Sequence, residues 1–220
     1  FQGLQPAAAS RRFPSYLAPA MTQLPELPLT LSRQEIRKMI RQRRRALTPE
    51  QQQEMGQQAA TRMMTYPPVV MAHTVAVFLS FDGELDTQPL IEQLWRAGKR
   101  VYLPVLHPFS AGNLLFLNYH PQSELVMNRL KIHEPKLDVR DVLPLSRLDV
   151  LITPLVAFDE YGQRLGMGGG FYDRTLQNWQ HYKTQPVGYA HDCQLVEKLP
   201  VEEWDIPLPA VVTPSKVWEW

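Results

Sequence analysis

Arg164-Leu165-Gly166-Met167-Gly168-Gly169-Gly170-Phe171-Tyr172-Asp173 is the stretch whose residue types and spacing most directly imply chemistry. Four glycines in five positions allow positive φ and let backbone amides approach a ligand closely. The loop runs into a predicted helix start, where free amides favour phosphate. Arg164 can add a bidentate phosphate contact, and Asp173 is placed to bind a magnesium ion that bridges phosphates. The lysine and hydroxyl of a Walker loop are missing, and the glycine offsets do not fit the dinucleotide fingerprint. The plain alternative is a tight turn that needs glycine only for its backbone.

A second cluster is cationic. Arg33, Arg37, Lys38, Arg41, Arg43, Arg44 and Arg45 stand against Glu35 alone, so residues 33–45 carry +6 of a chain whose net charge is +1. Arg33, Arg37, Arg41 and Arg44 recur at helical spacing on one face. That face suits an anionic ligand or partner, or else it is simply solvated. The six histidines show no zinc-ligand spacing on a predicted helix. His191 reads as structural, Cys193 has no base arranged beside it, and Trp95, Trp179, Trp204, Trp218 and Trp220 read as packing.

The elements that must position these groups follow from pattern. Phe1-Gln2-Gly3 resembles a tag remnant, and residues 1–30, with five prolines and little hydrophobic period, predict a flexible tail. Ser32 and Glu35 form a capping-box pattern that opens a helix, with Ile36, Met39, Ile40 and Leu47 as its apolar stripe. Thr48-Pro49-Glu50-Gln51 opens a second, whose buried face runs through Met55, Ala59 and Met63 to Pro67. Strands are predicted over 74–80, 99–106, 114–119 (antiparallel or at an edge), 148–153, 187–190 and 211–213. Helices are predicted over 87–97 and from 171 to about 179. The alternation implies a three-layer α/β sandwich, with a mostly parallel sheet and an N-terminal helical arm, as one domain over 31–220.

Composition excludes other classes. Hydrophobic residues are 44% and charged residues 20%, a globular balance. No apolar run approaches the ~18 residues of a membrane span. One cysteine excludes an internal disulfide and a thiolate zinc site and fits a cytoplasmic protein. A nucleic-acid module on the basic helix would want interleaved aromatics and a basic domain overall, and has neither.

The segment Arg164–Asp173 resembles the signature of the 5-formyltetrahydrofolate cyclo-ligase (methenyltetrahydrofolate synthetase) family. Arg33-Gln34-Glu35-Ile36-Arg37 is similar to that family's N-terminal basic motif. Phe78-Leu79-Ser80 leading to Glu84, Asp86 and Thr87 resembles its folate-contacting segment, and Ile132-His133-Glu134-Pro135 its glutamate–proline motif. The resemblance implies a ligase that converts 5-formyltetrahydrofolate to 5,10-methenyltetrahydrofolate with ATP and magnesium, releasing ADP and phosphate through a phosphorylated formyl intermediate. It implies ATP contacts from Arg33, Gln34, Glu35, Ile36 and Arg37, and from Arg164, Leu165, Gly166, Met167, Gly168, Gly169, Gly170, Phe171 and Tyr172. Arg164 and Tyr172 would be catalytic and Asp173 the magnesium ligand. Folate contacts would come from Leu79, Glu84, Met167, Gly168, Gly169, Gly170 and Phe171. The chain would act as a monomer on small molecules, with no nucleic-acid or membrane partner. It departs from the family pattern at Arg33 (commonly lysine), Phe171 (commonly tyrosine) and Pro209, where some members place a second magnesium aspartate; Asp205 lies four residues earlier. Competing readings are a sugar-phosphate isomerase or CoA transferase on a similar scaffold, or nucleic-acid binding by the basic helix.

Overall fold

The computed structural model describes residues 31–220, so the expected tail at 1–30 lies outside the described residues. Helix α1 (Arg33–Arg45) opens on the Ser32–Glu35 capping box, with Glu35 N donating to Ser32 Oγ at 3.2 Å and Ser32 N to Glu35 Oε1 at 3.3 Å. Helix α2 (Pro49–Thr65) opens on a second box, Thr48–Gln51, with Pro49 at its first position. Each such cap contributes ~1 kcal/mol. Next come α3 (Pro67–Met71), β1 (Thr74–Ala76), α4 (Gln88–Arg96), β2 (Arg100–Leu106), β3 (Leu114–Tyr119), β4 (Leu125–Met127), β5 (His133–Pro135), β6 (Val142–Leu143) and β7 (Val150–Thr153). The remainder is β8 (Ala157–Asp159), β9 (Arg164–Leu165), α5 (Phe171–Leu176), β10 (Gln185–Tyr189), β11 (Leu195–Val196), β12 (Ala210–Val212) and β13 (Val217–Glu219).

Eight strands form one sheet in the order β13-β12-β10-β7-β1-β2-β3-β6. The five from β12 to β2 are parallel, and antiparallel partners flank them on both sides. Both faces are apolar and alternate with period two, as a sheet covered on both sides requires. Val150, Ile152, Ala210 and Val212 pack with residues of α2, α3 and α4, whereas Leu151 and Val211 pack on the other face with Phe158, Leu176 and Trp218. That second face carries only the short α5, with the small sheet β11-β8-β9 beside it. The third layer is therefore thinner than the expected one. Helix α1 packs on the small sheet, placing Ile36 and Ile40 against Ala157, Leu165, Val196 and Leu199.

Several expected elements have different bounds. The strand expected over 74–80 ends at Ala76, where β1 has its last partner on β7, Leu151. Beyond it the chain leaves the ladder, and Thr87 Oγ1 donates to the Phe78 carbonyl at 2.7 Å. Strand β3 is antiparallel, but β6 covers its outer side, so it is not an edge. The helix expected from 171 to about 179 stops at Leu176, because Asn178 takes the left-handed region at φ 60°.

Candidate active site

From β1 the chain moves to β2 on one side and, later, to β7, β10 and β12 on the other. The gap at the carboxyl ends of such strands is where α/β sheets bind ligands. A cavity of about 540 Å³ lies there, between the segment after β1, strand β2, the segment after β7 and the glycine-rich loop.

One wall is cationic. Arg33 and Arg37 reach it from α1 and Arg164 from β9. Arg37 Nε donates to the Gly166 carbonyl at 2.7 Å, which ties α1 to the loop. Burial and the charges of Arg33 and Arg41 push Arg37 below the ordinary guanidinium value, with Asp205 opposing them. Arg33 makes a bidentate pair with Asp205 at 2.6 and 3.0 Å. Arg164 is buried; its Nε donates to the Pro154 carbonyl at 2.9 Å, its Nη1 lies 3.5 Å from Asp173 Oδ1, and its guanidinium stands over the Tyr172 ring. Burial pushes the Tyr172 phenol well up, so its hydroxyl stays protonated. Three guanidiniums against two carboxylates, Asp173 and Asp205, leave this wall net positive, which favours an anion.

The loop lies between these arginines. Gly168 (φ 103°) and Gly170 (φ 70°) occupy the left-handed region that only glycine enters freely. Helix α5 is six residues long, so its macrodipole adds little. The phosphate contact expected here would therefore rest on loop amides and arginines rather than on a helix dipole. Gly169→Val is expected to weaken nucleotide binding about tenfold or more with little loss of fold. The reason is not its backbone angle but the Phe171 ring, 2.9 Å from where a Cβ would stand. Titration with nucleotide and a thermal melt check this, and unaltered binding would show that the loop is not the cradle.

The opposite wall is apolar, formed by Phe78, Leu79, Leu103 and Ile132, with Glu84 among them. Glu84 is half-buried. Desolvation pushes its carboxyl up to about 7, against the Phe81 N–H bond and the Arg44 charge, with Asp82 adding to the rise. Near neutrality it can accept or donate a proton.

The cavity thus collects Arg33, Arg37, Leu79, Glu84, Arg164, Gly166, the run from Met167 to Tyr172, and Asp173. It is not lined by Gln34, Glu35, Ile36 or Leu165. Ile36 and Leu165 are buried where α1 meets the small sheet, and the Glu35 carboxylate is used by its cap. Ile36, Leu165 and Glu35 seat and cap the helix that carries Arg33 and Arg37, and none of the four lines the cavity. The basic face is not simply solvated either: Arg44 is 2% exposed, and Arg44 and Arg45 both pair with Asp82. Asp205, the nearest alternative second magnesium ligand, is taken by Arg33 and by the Glu202 N–H. Among the described residues no cluster of three or more His, Cys, Asp or Glu could hold a metal.

Sequence reasoning missed two contributors. Trp204, 63% exposed, lines the cavity instead of packing in the core. Glu134 accepts from Leu106 N and Asn128 Nδ2, both at 3.1 Å, and so docks the β4–β5 hairpin on β2. The glutamate–proline motif named Glu134 without giving it a site role; the lone Trp204 carried no signal. The thiol of Cys193 is pushed up to about 11 by burial.

These features define an α/β protein with a cavity at the switch point of its sheet, walled by arginines and glycines on one side and apolar residues on the other. The chain belongs to the 5-formyltetrahydrofolate cyclo-ligase family, a family of ligases, whose pattern matches residues 30–214. It is 53% identical over 179 residues to the 5-formyltetrahydrofolate cyclo-ligase of Haemophilus influenzae, covering 81% of this chain and 96% of that protein. It is 31% identical to the Mycolicibacterium smegmatis protein of that name, covering 84% and 95%. The NMR structure of Aquifex aeolicus 5,10-methenyltetrahydrofolate synthetase superposes with a TM-score of 0.74 at 28% identity, covering 86% of this chain and 93% of that one. No helix among the described residues is long and apolar enough to cross a membrane.

Proposed function

We propose that this chain converts 5-formyltetrahydrofolate to 5,10-methenyltetrahydrofolate with consumption of ATP, as a cytoplasmic monomer acting on small molecules. The observation that carries the reading is the two-sided cavity, with three arginines and the glycine loop on one wall and Glu84 in an apolar slot on the other. ATP phosphates fit the first wall and a pterin fits the second. Pterin ring NH and amino groups are donors, which the Glu84 carboxylate accepts. A formamide oxygen leaves poorly, so it is first phosphorylated. The N10 nitrogen then attacks the activated carbon and phosphate departs. Phosphoryl transfer asks for positioning and charge neutralisation, which arginines and loop amides supply without a covalent nucleophile. Holding N10 against the formyl carbon supplies the entropic part of the rate.

Magnesium would neutralise phosphate charge when bound. One carboxylate, Asp173, fits an ion that arrives with its phosphates and keeps several waters, but not a free-standing metal site. Asp173→Asn is expected to raise the half-saturating magnesium concentration about tenfold or more. It also leaves the Arg164 charge without its carboxylate, so a lower melting temperature will accompany the change. A lower melting temperature with an unaltered magnesium requirement would leave Asp173 a purely structural role.

The deciding test is the absorbance of the methenyl product on addition of 5-formyltetrahydrofolate, with and without Mg-ATP. Full turnover without nucleotide and with excess chelator would overturn the reading.

A further inference from the structure

Glu84 sits at the end of a turn that is held from beneath by three elements distant in sequence. Asp82 and Gly83 take φ of 52° and 75°, consecutive left-handed residues of the kind a type I′ turn needs. Glu84 N donates to the Phe81 carbonyl at 3.0 Å, and Phe81 N donates to Glu84 Oε1 at 3.1 Å. The backbone of Gly83 lies so close to α1 that a Cβ would stand 3.2 Å from Arg44 Cβ. The Gly83 carbonyl is then shared by two side-chain donors, Gln52 Nε2 of α2 and His191 Nε2 from the segment after β10, both at 3.1 Å.

His191 is 0% exposed and does not line the cavity. A carbonyl only accepts, so Nε2 carries the proton; Nδ1 is buried with no hydrogen-bond partner. Burial holds the ring's pKa down to about 4, so it is neutral and its donor is unchanged across the neutral range. The Nε2 bond of this buried ring goes to the carbonyl of the residue before Glu84.

We propose that His191, with Gln52, is a positioning residue for the ligase reaction, clamping the 81–84 turn so that the Glu84 carboxylate is aimed at the pterin. This rests on the reading that Glu84 contacts the folate. His191→Leu removes the donor and keeps an apolar side chain, whereas His191→Gln keeps an N–H at similar reach.

Steady-state KM values for 5-formyltetrahydrofolate and for ATP decide it, with the full chain. His191→Leu should raise the folate KM about fivefold or more and the ATP KM less than about twofold, with His191→Gln recovering most of the loss. In a Glu84→Gln background the same change should add less than about twofold, because the two residues act as one unit. Should His191→Leu fail to fold, the half-exposed Gln52→Ala carries the same test and should raise the folate KM selectively. Equal effects on both substrates, no recovery by glutamine, or full additivity with Glu84→Gln would overturn the clamp. A raised folate KM in Glu84→Gln beside normal values in His191→Leu and Gln52→Ala rejects the clamp alone. A normal folate KM in Glu84→Gln rejects the pterin assignment, and the proposed positioning with it.

Discussion

Arg164→Met is expected to lower kcat by about 10²-fold or more and to destabilise the fold by about 3–5 kcal/mol, the range for breaking a buried ion pair from one side. Arg164 is 5% exposed at its side chain and Asp173 13%, so the charge left on Asp173 would keep only a long bond from Ile206 N at 3.4 Å. The Pro154 carbonyl would lose its donor as well. Methionine has comparable reach and is flexible enough to fill the space. The double variant Arg164→Met/Asp173→Asn should therefore regain part of the lost stability and none of the lost activity. Urea denaturation of the four proteins in the cycle measures the first, and single-turnover kinetics the second. If activity returns with stability, Arg164 acts by holding the fold and not by meeting phosphate.

Glu84→Gln should raise the folate KM more than the ATP KM, and it should also change how stability depends on pH. The Glu84 carboxyl has its ordinary value of 4.5 when unfolded and about 7 when folded. The fold thus prefers the neutral form, and between these values the native state binds more protons than the unfolded one. The contribution of Glu84 to stability is therefore greatest below about 4.5, falls as pH rises to about 7, and is level above. The groups facing Glu84 are Arg44, Asp82 and the protonated Tyr172, with neutral His191 beneath the turn; only the Arg44 charge favours the carboxylate. Glutamine keeps the acceptor for Phe81 N and removes the charge. Glu84→Gln is thus expected to match the parent protein at pH 4–5 and to exceed it by about 1–3 kcal/mol at pH 8. Urea midpoints at the two pH values test this. A constant difference between them would show that the Glu84 carboxyl is not desolvated.

What was legible in the sequence was what short-range chemistry writes there. The Ser32 and Thr48 caps are four-residue patterns, and β3 lies at 114–119 as read, because its apolar run has polar ends. The glycine loop and Asp173 were legible by residue type alone. The strands β8, β9 and β11 were not, since two or three residues carry no period, yet they place Arg164 and seat α1. Arg44 looks like its neighbours in sequence, but the Asp82–Gly83 turn covers it, and that turn lies some forty residues away. Trp204 and His191 depended likewise on partners far along the chain.

The pairing of Arg33 with Asp205, 172 residues apart, sets the order in which the molecule can be made. A chain emerges from the ribosome with its N-terminal side first. Helix α1 is thus complete long before Val196, Leu199 and Asp205, on which it settles. Until those residues are out, the seat of Ile36 and Ile40 is incomplete and Arg33 lacks the carboxylate that fixes it at the cavity. The cationic wall is therefore completed only once segments 172 residues apart have met, and a product terminated before Asp205 is expected to lack the carboxylate that fixes Arg33.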